Sequence, residues 1–299
     1  MVSRGGQILA REGSSFRVLT PEGEVTAVLR GRTKRRDEVA VVGDQVALEA
    51  SADGWAITRV EARKNLLSRR EPGGRGNRAI AANLDQVFVM VAAKAPDPVP
   101  QLLDRLLVLA EANDIPAAVI INKIDLDPGT PLVARMTTAG YEVFPVSVRR
   151  NIGLDPLFAR MRRMVSVVTG PSGAGKSSLL NALQPGLVLR TGETSARTGR
   201  GRHITVSAVM IPLEGGGYLV DTPGFSDVGL WGLEPREFVA CFPDLSRFAE
   251  QCRFPDCWHL TEPGCSLRAA VASGEVQADR YESYRLLLDE LQHLPPEWA

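Results

Sequence analysis

Residues 165–180 read VSVVTGPSGAGKSSLL, an apolar run that breaks into a glycine-rich turn and resumes as an amphipathic stretch opened by Lys176. A buried strand, a loop and a helix in that order form the context in which GxxxxGKS holds phosphate. The glycines 170, 173 and 175 let the loop Gly170, Pro171, Ser172, Gly173, Ala174 and Gly175 turn its backbone amides toward phosphate oxygens, Pro171 excepted because it has no N–H. Lys176 supplies a point charge at the β and γ phosphates, the Ser177 hydroxyl is a Mg²⁺ ligand, and Ser178 continues the first helical turn. Downstream, DTPG at 221–224 ends the apolar run GYLV, so Asp221 is expected at a strand's carboxyl end near the magnesium shell, and the Gly224 amide at the γ phosphate.

A second motif supplies the base. NKID at 122–125 follows the apolar run AAVII, which places Asn122, Lys123, Ile124 and Asp125 at the carboxyl edge of a parallel sheet, where open α/β folds bind ligands. A carboxylate at Asp125 can accept from both N1 and the N2 amine of guanine. Adenine offers no such pair, and a site built around that carboxylate rejects it by roughly 10⁴. Lys123 can lie along the ring while Asn122 braces the loop. Ser147, closing EVFPVS, marks a supporting loop whose backbone amide would meet guanine O6.

NKID precedes the phosphate loop, the reverse of the usual GTPase order, so the chain reads as circularly permuted. Joining the old ends and opening a surface loop keeps the strands adjacent in space. The segment after DTPG then runs directly into the C-terminal region, which offers a route from γ-phosphate loss to movement there.

Outward from this centre, residues 1–66 give short alternating segments (SFRVLT, VGDQVALEA, WAITRVEA) separated by turns, the pattern of a small OB-type β-barrel. From Arg59 to Arg78 the apolar spacing weakens and arginines gather around PGGRGN, which reads as a flexible, solvated connector. Residues 67–229 alternate apolar strands with amphipathic helices, an α/β GTPase domain. Residues 230–299 hold all four cysteines and an acidic C-terminal helix near 278–292.

The formal charge is zero, but residues 230–299 carry six Lys and Arg against twelve Asp and Glu, a net −6 balanced by +6 before them. A hydrophobic fraction of 44% suffices for ordinary cores at 299 residues, and two or three domains are expected. No leader pattern and no 18-residue apolar stretch occurs, so the chain is expected in the cytoplasm, without a membrane partner, as a monomer.

The cysteines lie within 25 residues, which argues for local metal binding rather than disulfides. Cys252, Cys257, His259 and Cys265 form CxxxxCxHxxxxxC, four ligands that fit one structural zinc. Cys241 is the alternative to His259, although a thiol beside FPDL is more commonly a buried apolar group.

The stretch RTGETSARTGRGRHIT at 190–205 has the composition of a mobile switch loop, and Thr205 is the candidate for closing over Mg²⁺ and the γ phosphate. Phe225 stands where Ras-like enzymes place a water-orienting Gln, which leaves His203 as the candidate catalytic group. An Asn that recruits potassium in some GTPases is replaced by Gly173, so potassium dependence is not expected. Arg30, Arg32, Lys34, Arg35 and Arg36 gather on one barrel loop, either a solvated surface or a single-stranded nucleic-acid platform.

With VVGDQV at 41–46, GRHIT at 201–205, GLWGL at 229–233 and the cysteine spacing, these motifs in permuted order resemble the RsgA (YjeQ) family of bacterial GTPases over nearly the whole chain. The resemblance implies stimulation by the 30S ribosomal subunit, contact with its rRNA and a role in late small-subunit maturation. It also supports His203 as catalytic. Two other readings are an RNA-binding assembly factor whose nucleotide only sets conformation and an ATP-using P-loop enzyme; NKID argues against the latter.

Overall fold

The computed structural model describes residues 3–30, 39–51, 54–70, 77–184, 208–221, 230 and 233–293. Strands β1 (Ser3–Glu12), β2 (Ser15–Thr20), β3 (Gly23–Leu29), β4 (Gln45–Ser51) and β5 (Gly54–Val60) pair in the order β1-β2-β3-β5-β4, and β4 closes back on β1. Alternation drives the closure: Phe16 and Val18 of β2 and Val46 and Leu48 of β4 point inward and are buried, with Ile8 and Ile57 filling the centre.

The stretch read as a solvated connector is instead a hairpin, β6 (Leu66–Arg70) and β7 (Asn77–Ala82), with Leu67 and Ala81 fully buried. Its apolar residues are few, but Leu67, Ala81 and Ala82 are buried and Ile80 packs against the core. Arg63, counted among the solvated arginines, holds the fully buried Asp44 of VVGDQV through Nε at 2.7 Å and Nη2 at 2.9 Å. The Val41 amide donates to the same carboxylate at 2.8 Å, so this motif ties the barrel to the segment that leads into the hairpin.

The α/β part runs β8 (Gln86–Ala92), α1 (Pro100–Glu111), β9 (Ala117–Asn122), α2 (Thr130–Thr138), β10 (Glu142–Pro145), α3 (Leu154–Met161), β11 (Val165–Thr169), α4 (Lys176–Leu183), β12 (Val209–Pro212) and β13 (Tyr218–Asp221). Its strand order is β10-β9-β8-β11-β13-β12, parallel except for the antiparallel β12–β13 hairpin. Every residue of β8 is buried, as expected of a strand covered by helices on both faces. β12 also meets β1 at Val209 and Ala10, which runs barrel and α/β sheet together.

The C-terminal region is helical: a 3-10 turn at Phe238–Cys241, then α5 (Pro243–Ala249), α6 (Ser266–Ser273) and α7 (Ala278–Gln292). Phe238, Phe242 and Tyr284 pack ring to ring at 5.5–5.9 Å in its core. Among the described residues, no helix is long and apolar enough to cross a membrane.

Candidate functional site: the nucleotide loops and the cysteine–histidine knuckle

The permuted order leaves the loops after β9 and β11 on the same edge of the sheet, with β8 between those strands. Gly170 leaves β11 with φ +146°, and a Cβ there would stand 1.9 Å from the Met90 carbonyl oxygen. Gly175 has φ +105°, and a Cβ there would stand 2.2 Å from Asn122 Nδ2. Both positions therefore favour glycine, one because the loop presses on the main chain of β8 and the other because it presses on the Asn122 side chain of the base loop. Between them lie Pro171, Ser172, Gly173 and the buried Ala174.

Lys176 opens α4 and folds back over the loop, donating Nζ to the carbonyls of Gly170 at 2.7 Å and Pro171 at 2.9 Å. Desolvation pulls its pKa below the usual lysine value, against the opposing charge of Asp221 at the end of β13. Desolvation likewise pushes the Asp221 carboxyl up while Lys176 pulls it down, so the two groups sense one another across the site. Ser177 and Ser178 are exposed on the first turn of α4, where unpaired helical amides and hydroxyls can meet an anion and its metal.

Asn122 is 3% exposed and makes the join between the motifs. Its Nδ2 donates to the Ala174 carbonyl at 2.9 Å, and its Oδ1 accepts from the Val148 amide at 3.1 Å. Lys123, in a left-handed conformation, donates Nζ to the Ala95 carbonyl in the loop after β8. Ile124 packs against the core, and its amide donates to the Val146 carbonyl at 3.2 Å. Asp125 points outward, held by a hydrogen bond from the Ser147 hydroxyl. That bond keeps the Asp125 carboxyl below the usual carboxylate range against desolvation, with Arg150 and Arg149 adding positive charge.

Ser147 stands in the supporting loop, but its own amide donates to the Ile152 carbonyl at 3.0 Å. The residue therefore meets the site through its hydroxyl, and the neighbouring amides of Val148 and Arg150 are likewise engaged, on Asn122 Oδ1 at 3.1 Å and on Ser147 Oγ at 3.2 Å. The Ala95 and Val148 contacts escaped the sequence, because both are backbone groups that carry no residue-type signature.

His203, Thr205, Gly224 and Phe225 lie outside the described residues, as do Arg32, Lys34, Arg35 and Arg36. Arg30 pairs with Glu49 at 2.6 Å.

Cys252, Cys257, His259 and Cys265 converge, with all four ligand atoms within 4.8 Å of one another. A tetrahedral zinc site has S···S edges of about 3.8 Å and S···N edges of about 3.5 Å. Cys252 and Cys265 Sγ lie 3.8 Å apart, and His259 Nδ1 lies 3.4 and 3.5 Å from them. The donor set therefore fits one ion with no open position. Burial lowers the His259 pKa, which favours the neutral imidazole that ligation requires. Glu262 shapes the knuckle by accepting from the amides of Trp258, Leu260 and Thr261 at 2.9–3.0 Å. Tyr281 and Tyr284 of α7 pin it by donating to the carbonyls of His259 at 2.6 Å and Trp258 at 3.1 Å. Cys241 stands apart in the 3-10 turn, its thiol pushed up to about 11 by burial, the behaviour of a packed group.

A family model described as RsgA GTPase matches residues 60–231. A protein of Gemmatimonas aurantiaca is 46% identical, the alignment covering 97% of this chain and 98% of that protein. One of Moorella thermoacetica is 39% identical over 96% and 97%. Both are named small ribosomal subunit biogenesis GTPase RsgA. Among solved structures, YjeQ from Thermotoga maritima superposes with a TM-score of 0.82 at 32% identity, over 98% of this chain and all of that one. YloQ, described as a circularly permuted GTPase, gives 0.79 at 28% identity over 99% and 97%.

Proposed function

This chain belongs to the RsgA GTPase family and hydrolyses GTP, and on that premise we propose that it acts on the 30S ribosomal subunit as a late maturation factor whose turnover the subunit stimulates. The observation that carries the reading is whole-length similarity, 46% over 97% of the chain, to a protein named for small-subunit biogenesis. In this reading the chain divides at 66/67 and 229/230 into an rRNA-contacting barrel, a nucleotide-hydrolysing domain and a zinc-holding domain.

GTP is held at both ends. The amides of Gly170, Ser172, Gly173, Ala174 and Gly175, together with Ser178, receive the phosphates, Pro171 shapes the loop without an N–H to give, and Lys176 exchanges its carbonyl partners for β and γ oxygens. Asp125 reads guanine N1 and N2, with Ser147 fixing its carboxylate, Lys123 along the ring and Ile124 anchoring the loop beneath. The Mg²⁺ that the family uses would be held by Ser177 and Thr205, with Asp221 in its outer shell, and it supplies charge neutralisation at the β and γ phosphates. Gly224 offers its amide to the γ phosphate. His203 orients the attacking water, since Phe225 has no group that can. The knuckle would hold zinc in a structural role.

Turnover with and without purified 30S subunits tests the proposal. Slow basal hydrolysis that rises with subunits, and loses that rise in His203→Ala, is expected. Equal turnover in both conditions would instead favour a passive RNA-binding factor.

A further inference from the structure

One buried carboxylate joins three helices. Asp104 of α1 is fully buried and receives Arg135 of α2 through Nη1 at 2.9 Å and Nη2 at 2.6 Å. It also receives Arg280 of α7 through Nη1 at 2.5 Å. Arg280, 1% exposed, turns its remaining nitrogens to Asp244 of α5 at 2.7 and 3.1 Å. The Nε of Arg135 reaches Asp279, and Arg105 pairs with Glu290 further along α7. The C-terminal region is thus tied by ion pairs to α1 and α2, within the described residues.

Each of those helices begins where a loop of the nucleotide site ends. α1 follows the loop whose Ala95 carbonyl holds Lys123, and α2 starts at Thr130, directly after the Asn122–Asp125 loop. The connection is tight: the Gly129 amide, at the N-cap of α2, donates to Asp127 at 2.8 Å, and the Leu126 amide to the Lys123 carbonyl at 2.8 Å. A rotation or slide of α2 therefore reaches Asp125 with little slack. Lys123–Ala95 fixes the α1–α2 spacing at the loops, and Asp104 fixes it at the helices.

We propose that Arg135, Asp104 and Arg280 are positioning residues for guanine recognition, and that α7 is the support that holds α2, and with it the Asp125 loop, in place. This rests on Asp125 as the guanine-reading group. Binding linkage is reciprocal, so a guanine nucleotide in turn holds α7 in its docked position. Because Tyr281 and Tyr284 of the same helix pin the knuckle, the knuckle follows the base half of the site.

Asp279→Ala is the gentle test in the full-length, metal-loaded protein. Its side chain is 55% exposed and Arg135 keeps Asp104, so no buried charge is stranded. Arg280→Lys, which keeps the charge but loses the two-sided reach, is the second variant. The expected result is that KM for GTP and Kd for GDP rise together, by between about 2-fold and 30-fold. kcat is expected to stay within about twofold, Asp279→Glu to restore most of the affinity, and GDP to slow hydrogen exchange along α7 in the wild type. Wild-type GDP affinity in both variants, with α7 exchange indifferent to GDP, overturns the inference. Asp125→Asn is run alongside: if it keeps full guanine preference, the underlying base-site reading is what has failed.

Discussion

The side-chain amide of Asn122 donates to the Ala174 carbonyl at 2.9 Å, bridging 52 residues of sequence to join the base loop to the phosphate loop. That single bond makes one site of two motifs whose order is inverted in the chain. The other end of the same side chain accepts from Val148, so three loops share one buried residue.

Asn122→Ala should therefore weaken nucleotide binding without touching a phosphate or base contact. It leaves the Ala174 carbonyl and the Val148 amide without their partner, a cost of about 1–3 kcal/mol for each buried group. GDP affinity should fall at least about tenfold, as about 1.4 kcal/mol gives. Isothermal titration checks this, and an unchanged Kd would mean that the bridge is dispensable.

Gly170→Ala should be worse than Gly175→Ala. The added methyl meets main chain at Met90 in the first case and a side-chain amide in the second. Main chain cannot step aside, so Gly170→Ala should lose nucleotide binding and lower the melting temperature. Gly175→Ala should chiefly loosen the Asn122 bridge. Thermal melts with and without GDP separate the two.

His259→Ala and Cys257→Ser should each lower the bound metal and expose the C-terminal region to protease, whereas Cys241→Ser should leave metal content at wild-type level. Metal ligation contributes on the order of 10 kcal/mol in small structural sites, so chelation should unfold this region well before the sheet. Metal analysis and limited proteolysis report both outcomes.

Acid should undock α7. Burial by itself would raise the Asp104 pKa, but hydrogen bonding from Arg135 and the charges of Arg280 and Arg135 outweigh it and hold the carboxyl below its usual value. A depressed carboxylate contributes stability above its unfolded value of about 4, and that contribution is lost as pH falls through the folded one. Asp104→Asn should cost about 3–5 kcal/mol near neutrality, because it leaves Arg135 and Arg280 uncompensated. It should also flatten the acid limb of the stability curve. Denaturant melts from pH 3 to 7 give both readings.

The legible parts were those in which residue type and spacing carry the chemistry: GPSGAGKS, NKID, the CxxxxCxHxxxxxC knuckle and the period-2 barrel strands. The hairpin at 66–82 was hidden because its inward residues, such as Leu67 and Ala81, are sparse among arginines. Arg63 read as solvated charge, and Arg135 drew no reading at all, because their partners Asp44 and Asp104 are distant in sequence. A trace of the second existed: Asp104 sits within LLDRLL, a charge on an otherwise apolar helical face, and such a residue is buried only when paired.

The most direct test of the site is a nucleotide titration of the wild type and Asp125→Asn against GDP, ADP and xanthosine diphosphate. Xanthine presents a carbonyl where guanine has its N2 amine, and an asparagine amide can donate to it. The wild type should bind GDP far more tightly than the other two, and Asp125→Asn should lose GDP and gain xanthosine diphosphate. A variant that still prefers GDP would contradict the assignment of Asp125, and with it the account of how the permuted loops read guanine.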